Sequence, residues 1–329
     1  MAQFPFLPSA EPLDIDILVL PQAALLTVGS TIDPLRAANR HLGARAFRWR
    51  ILSMDGGAVP LTAGVSLPAD AALGGGPPAS GPARALFVIA GYGARGLSQG
   101  PLLRDLRRHA RGCPVLAGID SGCWPLAAAG LLAGRRVTTH WEDLEDFAAA
   151  HPELEVVPDR YVISGPVLSA GGTGPVQDLM LDLIAARHGA HVAMQVAGTF
   201  IIAQRSGAES QVTAIATGLR DGGDPRVSAA VARLSECIDA PEPVARTAAA
   251  VGLSARRLQT LFRAQIGIGP GEYALEMRLQ AARRLVVDTR HPMAEVALRS
   301  GFNSLPAFSR AFRRRFGQPA ATVRRSHRS

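Results

Sequence analysis

No apolar run in this 329-residue sequence is long and unbroken enough to cross a bilayer. The longest, residues 115–134, is interrupted by Asp120 and Pro125, and a transmembrane helix needs about 20 predominantly apolar residues. Residues 1–12 have neither a basic start nor an apolar stretch behind it, so no secretory leader is expected. Cysteine is scarce: Cys113, Cys123 and Cys237 make three, an odd number without metal-ligand spacing. That argues against a disulfide framework and a zinc site. It fits a reducing cytoplasm, which is the expected location. No metal and no cofactor are expected. Lysine is missing altogether, all 35 basic residues being arginine. A skewed base composition in the gene would give the same bias, so the informative quantity is where the charge lies.

The length exceeds that of most single domains and 47% of the residues are hydrophobic, ample for a core, so two or more folded units are expected. Charge divides them. Residues 225–329 carry 18 Arg against 7 acidic residues, a balance of +11, whereas the rest carry 17 Arg against 20 acids. The C-terminal part has the electrostatic footprint of a polyanion binder, and the N-terminal part that of an ordinary cytosolic domain.

Up to Gln204, short apolar runs alternate with helical patterns. Residues 15–20, 49–53, 86–90, 115–119 and 162–163 read as strands, and residues 176–187 and 191–204 as helices. Such alternation implies an α/β domain with a largely parallel sheet. Residues 206–225 lose periodicity and contain Gly222-Gly223-Asp224-Pro225. The expected organisation is therefore a domain over 1–205, a linker over 206–224 and an all-helical domain over 225–329.

The helical part contains an internal repeat. One copy runs Ala248-Ala249-Ala250-Val251-Gly252-Leu253-Ser254, then Leu258, Leu261-Phe262 and Gly267. The other runs Ala297-Leu298-Arg299-Ser300-Gly301-Phe302-Asn303, then Phe308, Phe312 and Gly317. A small helix residue, a Gly four positions on that can take the left-handed turn, and a Ser or Asn cap are what a helix-turn-helix requires. With Leu258, Leu261 and Phe262 inward, Arg256, Gln259, Thr260 and Arg263 form an outward stripe. In the second copy Phe308 and Phe312 point inward, leaving Pro306, Ser309, Arg310 and Arg313 outward and Leu305 at the entry. Arg256 and Arg310 suit guanine, Gln259 suits adenine and Leu305 a thymine methyl. Arg313, Arg314 and Arg315 diverge around the helix and suit phosphates. Double-stranded promoter DNA is the expected partner.

Residues 270–288, with Arg278-Leu279 and Ala282-Arg283-Arg284-Leu285, resemble the long helix that links the two units of AraC-type regulators. Gly301-Phe302-Asn303-Ser304 through Phe308-Ser309-Arg310-Ala311-Phe312 resembles their signature. The sequence departs from that pattern at Pro306-Ala307.

In the N-terminal part, residues 115–119 lead into Asp120-Ser121-Gly122-Cys123-Trp124-Pro125 and a helical pattern. A sharp strand-to-helix turn exposes one side chain above the sheet edge, here Asp120. Together with Thr138-Thr139-His140-Trp141-Glu142, Ser169-Ala170-Gly171-Gly172-Thr173 and Ala90-Gly91-Tyr92-Gly93, this turn resembles the PfpI-like, class I glutamine amidotransferase-like domain. That domain precedes the AraC-type module in the GlxA group of regulators, so the resemblance spans nearly the whole chain. It implies a flavodoxin-like parallel-sheet sandwich. Catalytic relatives carry a Cys at the elbow, assisted by an acid and often a His. Asp120 stands there instead, and Cys123, three residues on, is expected to point inward. A ligand sensor rather than an enzyme is therefore expected. An amidase or hydrolase joined to a DNA-binding module, and a domain that only dimerises, are the alternatives.

Asp33-Pro34-Leu35-Arg36-Ala37-Ala38-Asn39-Arg40, with Ile119-Asp120-Ser121-Gly122, resembles the subgroup that senses amines such as glycine betaine, carnitine or arginine. A carboxylate beside Trp124 and Trp141 suits a cationic head group through charge and cation–π contact. The expected ligand contacts are Asp33, Gly91, Asp120, Ser121, Trp124, His140, Trp141 and Glu142. Plainer roles are open to several of them: Asp120 as a helix cap, Trp124 as a core ring, His140-Trp141 as a brace. A homodimer through the N-terminal domain is also expected.

Overall fold

Strand β1 (Leu13–Val19) turns Ile15, Ile17 and Val19 to one face and Leu18 to the other, and both sets are buried, as in a strand covered on two sides. In the computed structural model, which describes residues 5–75, 84–202, 204–211 and 224–326, six more strands join it. They are β2 (Phe47–Ser53), β3 (Ala71–Ala72), β4 (Ala85–Ala90), β5 (Val115–Asp120), β6 (Tyr161–Ser164) and β7 (Val167–Ala170). The order is β6-β7-β5-β4-β1-β2-β3, parallel throughout except for the β6–β7 hairpin. Helices α1 (Leu25–Leu42), α5 (Thr173–His188) and α6 (Ala190–Phe200) pack on one face. Helices α2 (Pro101–Ala110), α3 (Cys123–Ala128) and α4 (Leu144–Ala150) pack on the other. This is the expected flavodoxin-like sandwich, with strands β3 and β7 added to the sequence reading.

Two further details differ from the sequence. Helix α6 stops at Phe200, because Ile201 takes a left-handed conformation (φ 55°). The first compact unit then extends to Gln211. Residues 206–211, expected to open the linker, are instead hydrogen-bonded to it: the Arg160 N–H donates to Gly207 O and Glu209 O, and the Gln211 N–H to Pro158 O.

The second unit is helical: α7 (Pro225–Glu236), α8 (Val244–Ala250), α9 (Ala255–Ile266), α10 (Pro270–Asp288), α11 (Met293–Arg299), α12 (Leu305–Phe316) and α13 (Ala320–Ser326). It has two cores, one around Val231, Ala248, Leu258 and Phe262, the other around Leu279, Val296, Phe308 and Phe312. Helix α10 serves both, with Tyr273 and Ala274 against the first and Leu279, Ala282 and Val286 in the second. Among the described residues no helix is long and apolar enough to cross a membrane.

Candidate functional site

The chain leaves β1 toward β2 on one side and later returns to β4 on the other, so the strand order reverses between β1 and β4. The carboxyl ends of strands at such a reversal form the crevice where open α/β sheets bind ligands. Strain collects there. Gln22, beyond β1, has φ 65° and Asp120, at the end of β5, has φ 60°, conformations that non-glycine residues hold only where their surroundings enforce them. Gly91, after β4, lies against the Gln22 carbonyl. The elbow closes tightly: the Gly122 N–H donates to Ile119 O at 2.9 Å, and a Cβ on Gly122 would fall 2.0 Å from Val88 O.

A second loop meets the elbow from above. The His140 N–H and the Thr139 hydroxyl both donate to Asp120 O, at 3.2 and 3.0 Å. His140 Nδ1 lies 4.0 Å from Glu142 Oε2, and the His140 and Trp141 rings are 6.0 Å apart. Burial pushes the Asp120 carboxyl up to about 6; His140 opposes that shift, while Asp143 and Glu142 add to it. Gly91, Asp120, His140 and Glu142 thus gather at one rim, as the motifs led one to expect, with Trp141 beside His140.

Three expected contacts stand differently. Asp33 lies eight residues into α1, about 12 Å along the helix from its start; it pairs with Arg36 at 2.7 Å and borders a separate hollow with Leu25, Gly29 and Thr62. Ser121 Oγ and Trp124 Nε1 both donate to Asp143 Oδ2, at 2.6 and 3.1 Å. Trp124 is only 5% exposed, edge-on to Phe147, with the Arg95 guanidinium 5.2 Å from its ring centre. A ring so enclosed, with a cation already against it, braces the elbow and does not face a ligand. Asp143 was not foreseen, although it stands one residue past the His140-Trp141-Glu142 motif. Gln22 was not foreseen either, having no sequence signal beyond a polar residue after a strand.

Cys123 is fully buried and donates its thiol to Thr138 O at 3.2 Å, and burial pushes that thiol up to about 12. It has no thiolate to offer as a nucleophile. Among the described residues no group of three or more His, Cys, Asp or Glu is placed to hold a metal ion.

In the second unit Leu258, Phe262, Phe308 and Phe312 are fully buried. They turn Arg256, Gln259, Thr260 and Arg263 outward on α9, and Pro306, Ser309, Arg310, Arg313 and Arg314 outward on α12, with Leu305 39% exposed at its start. The turn glycines Gly252 and Gly301 both have φ 69°. Beyond them the copies differ by one residue. Ser254 caps α9 by accepting the Arg257 N–H, and Ser304, not Asn303, caps α12 by accepting the Ala307 N–H. Asn303 is the extra residue in the second turn: Gly252 and Gly301 are 49 residues apart, whereas Leu258 and Phe308 are 50 apart. Arg315 also departs from the phosphate role: its Nε sits 2.6 Å from Glu276 Oε2 on α10. Arg278 fixes the second turn from the same helix, donating to Ser300 O and Gly301 O at 2.9 and 2.6 Å.

A helix-turn-helix domain family matches residues 247–326. The chain is 37% identical over 306 residues to the HTH-type transcriptional regulator CdhR of Pseudomonas aeruginosa, covering 92% of this chain and 89% of that protein. It is 31% identical over 313 residues to the HTH-type transcriptional regulator GlxA of Rhizobium meliloti, covering 94% and 95%. The N-terminal fold matches a ThiJ/PfpI family protein of Pseudomonas syringae with TM-score 0.52 at 18% identity, over 62% of this chain and 79% of that one. Both relatives are transcriptional regulators by name. This chain belongs to the AraC family of DNA-binding transcription regulators, with a domain of the ThiJ/PfpI fold ahead of its paired helix-turn-helix units.

Proposed function

We propose that the N-terminal unit binds a small cationic amine above Asp120, and that occupancy changes how the two helix-turn-helix units engage a promoter. The observation that carries this reading is a carboxyl held in strained backbone at the strand-order reversal, with Glu142 and His140 beside it. Asp120 and Glu142 supply negative charge, Gly91 lets the Gln22 backbone close against the rim, and the Trp141 ring suits an alkylated ammonium group.

Because the Asp120 carboxyl sits at about 6, its charge, and with it cation affinity, should rise as pH increases through that value. A ligand that binds only the folded state raises Tm, by an amount equivalent to about 2.7 kcal/mol at one hundred times its Kd. Thermal shifts with glycine betaine, carnitine, arginine and neutral amides, taken from pH 5 to pH 8, test the reading. A shift with one of the three compounds that carry a cationic head group, growing with pH and vanishing in Asp120→Asn, is expected. Equal response to neutral amides would remove the charge argument. No response to any compound, with a two-chain mass in sedimentation, would leave a unit that only dimerises.

The recognition helices in this reading are α9 and α12. Helix α10 between them has 19 residues, about 28 Å at 1.5 Å per residue, close to the roughly 34 Å between major-groove segments on one face of a duplex. Arg310→Ala should weaken binding by about 1–3 kcal/mol and relax preference at one base pair, whereas Arg314→Ala should weaken all sequences alike and lower the salt slope by about 1. Affinities for selected and random DNA at several salt concentrations decide it. Equal losses on both DNAs for Arg310→Ala would make Arg310 a phosphate contact.

A further inference from the structure

Gln211 is the last residue of the N-terminal unit, ahead of the segment that leads to the DNA-binding unit. A long polar side chain in that position belongs in water, yet Gln211 is only 4% exposed. Its Nε2 donates to Thr138 Oγ1, Thr139 O and Asp159 O, each at 2.9 Å. Its amide also lies against Gly171: a Cβ there would fall 2.1 Å from Gln211 Oε1, so any larger residue would evict it.

These neighbours are the under-surface of the Asp120 rim. Thr139, whose carbonyl accepts from Gln211, donates its hydroxyl to Asp120 O. The next residue, His140, gives its N–H to the same oxygen, and its ring edge lies within van der Waals reach of a Cβ on Gly172, beside Gly171. A shift of the His140 loop must therefore move the acceptors that hold Gln211. The strap behind Gln211 is held mainly by backbone bonds, Arg160 N–H to Gly207 O and Glu209 O, Gln211 N–H to Pro158 O, Arg205 N–H to Asp178 Oδ1 and the Asp159–Ser210 bridge, with an Arg205–Glu209 ion pair and the Gln204 side chain on Asp182. Gln211 supplies its buried polar anchor at the end nearest the linker.

We propose that Gln211 is a latch joining the effector rim to the linker, so that occupancy above Asp120 is passed to the DNA-binding unit through the Thr138–Thr139 acceptors and the Gln211 amide. The inference rests on the amine-sensor reading for its input, while the latch itself exists without a ligand.

Hydrogen exchange on the full chain tests the latch directly, in Gln211→Ala and separately in Gly171→Ala, which keeps Gln211 but displaces it. Losing side-chain bonds worth about 1–1.5 kcal/mol should speed exchange of the His140 and Arg160 amides roughly tenfold in both variants, with β1 and β4 unchanged. An unchanged His140 amide in both would overturn the latch, leaving Gln211 as a simple tail anchor. The coupling is read on DNA that the full chain selects from a random pool, with glycine betaine and arginine as probes. Gln211→Ala should keep the wild-type thermal shift with the probe but lose the probe-dependent change in DNA affinity. A variant that retains both responses would also overturn the proposal. If neither probe shifts the wild-type Tm, the amine reading fails, and the exchange result alone decides the latch.

Discussion

Phe312→Ala should melt the second helix-turn-helix core and abolish DNA binding while the N-terminal unit stays folded. Phe312 is fully buried, 5.4 Å from the Phe308 ring and 4.6 Å from that of Phe316. Removing a buried phenylalanine typically costs about 3–5 kcal/mol, through lost transfer energy and the cavity left behind. The core it belongs to is small, with alanine at three of its ten buried positions, Ala282, Ala297 and Ala320. A loss of that size is comparable to the whole stability of a modest domain, about 5–15 kcal/mol. The chain provides its own control, because its three tryptophans, Trp49, Trp124 and Trp141, all lie in the first unit. Far-ultraviolet circular dichroism should show helix melting at a lower temperature, while the tryptophan fluorescence transition stays in place. A fluorescence transition that moves with the helix signal would show instead that the two units unfold together.

The fold was legible where burial leaves a periodic mark. Ile15, Ile17 and Val19 against Leu18 write a two-faced strand into the sequence, and Leu258 and Phe262 against Arg256 and Arg263 write a half-buried helix. Strands β3 and β7 were not legible: Ala71-Ala72 is too short to show alternation, and all four residues of Val167–Ala170 are buried, so no apolar–polar alternation marks that strand. The cap of α12 was ambiguous because Asn303 and Ser304 both have capping side chains, and only the turn geometry decides which accepts an N–H. Within the site, Asp120 could be read because a strand-to-helix elbow is a local feature. The role of Trp124 could not. It depends on Asp143, nineteen residues away, and on Arg95 from another element, contacts that exist only once the sheet has formed. Gln211 lay hidden for the same reason: its acceptors are 52 to 73 residues distant in sequence.

Asp120→Asn should stabilise the unliganded chain at pH 8 and, on the proposed amine-sensor reading, abolish its response to compounds with a cationic head group. Burial is the main reason the Asp120 carboxyl rises from 3.8 to about 6, with Asp143 and Glu142 adding to the rise against the opposing effect of His140. The folded state thus holds the Asp120 proton more tightly than the unfolded chain does. Its contribution to stability is complete below pH 4 and is lost as pH rises through 6. At about 1.4 kcal/mol per pH unit, the rise from 3.8 to about 6 makes the ionised form cost about 3 kcal/mol at pH 8. Asparagine has nearly the same shape and tolerates the left-handed backbone at φ 60°, so the substitution removes the charge without adding strain. Urea unfolding followed by tryptophan fluorescence should therefore favour the variant by about 2–3 kcal/mol at pH 8 and by little at pH 4. A bound cation should close that gap by stabilising the wild type alone. Equal stability of the two chains at pH 8 without ligand would mean that the carboxylate is already compensated within the protein, and the driving force for capturing an amine would be gone.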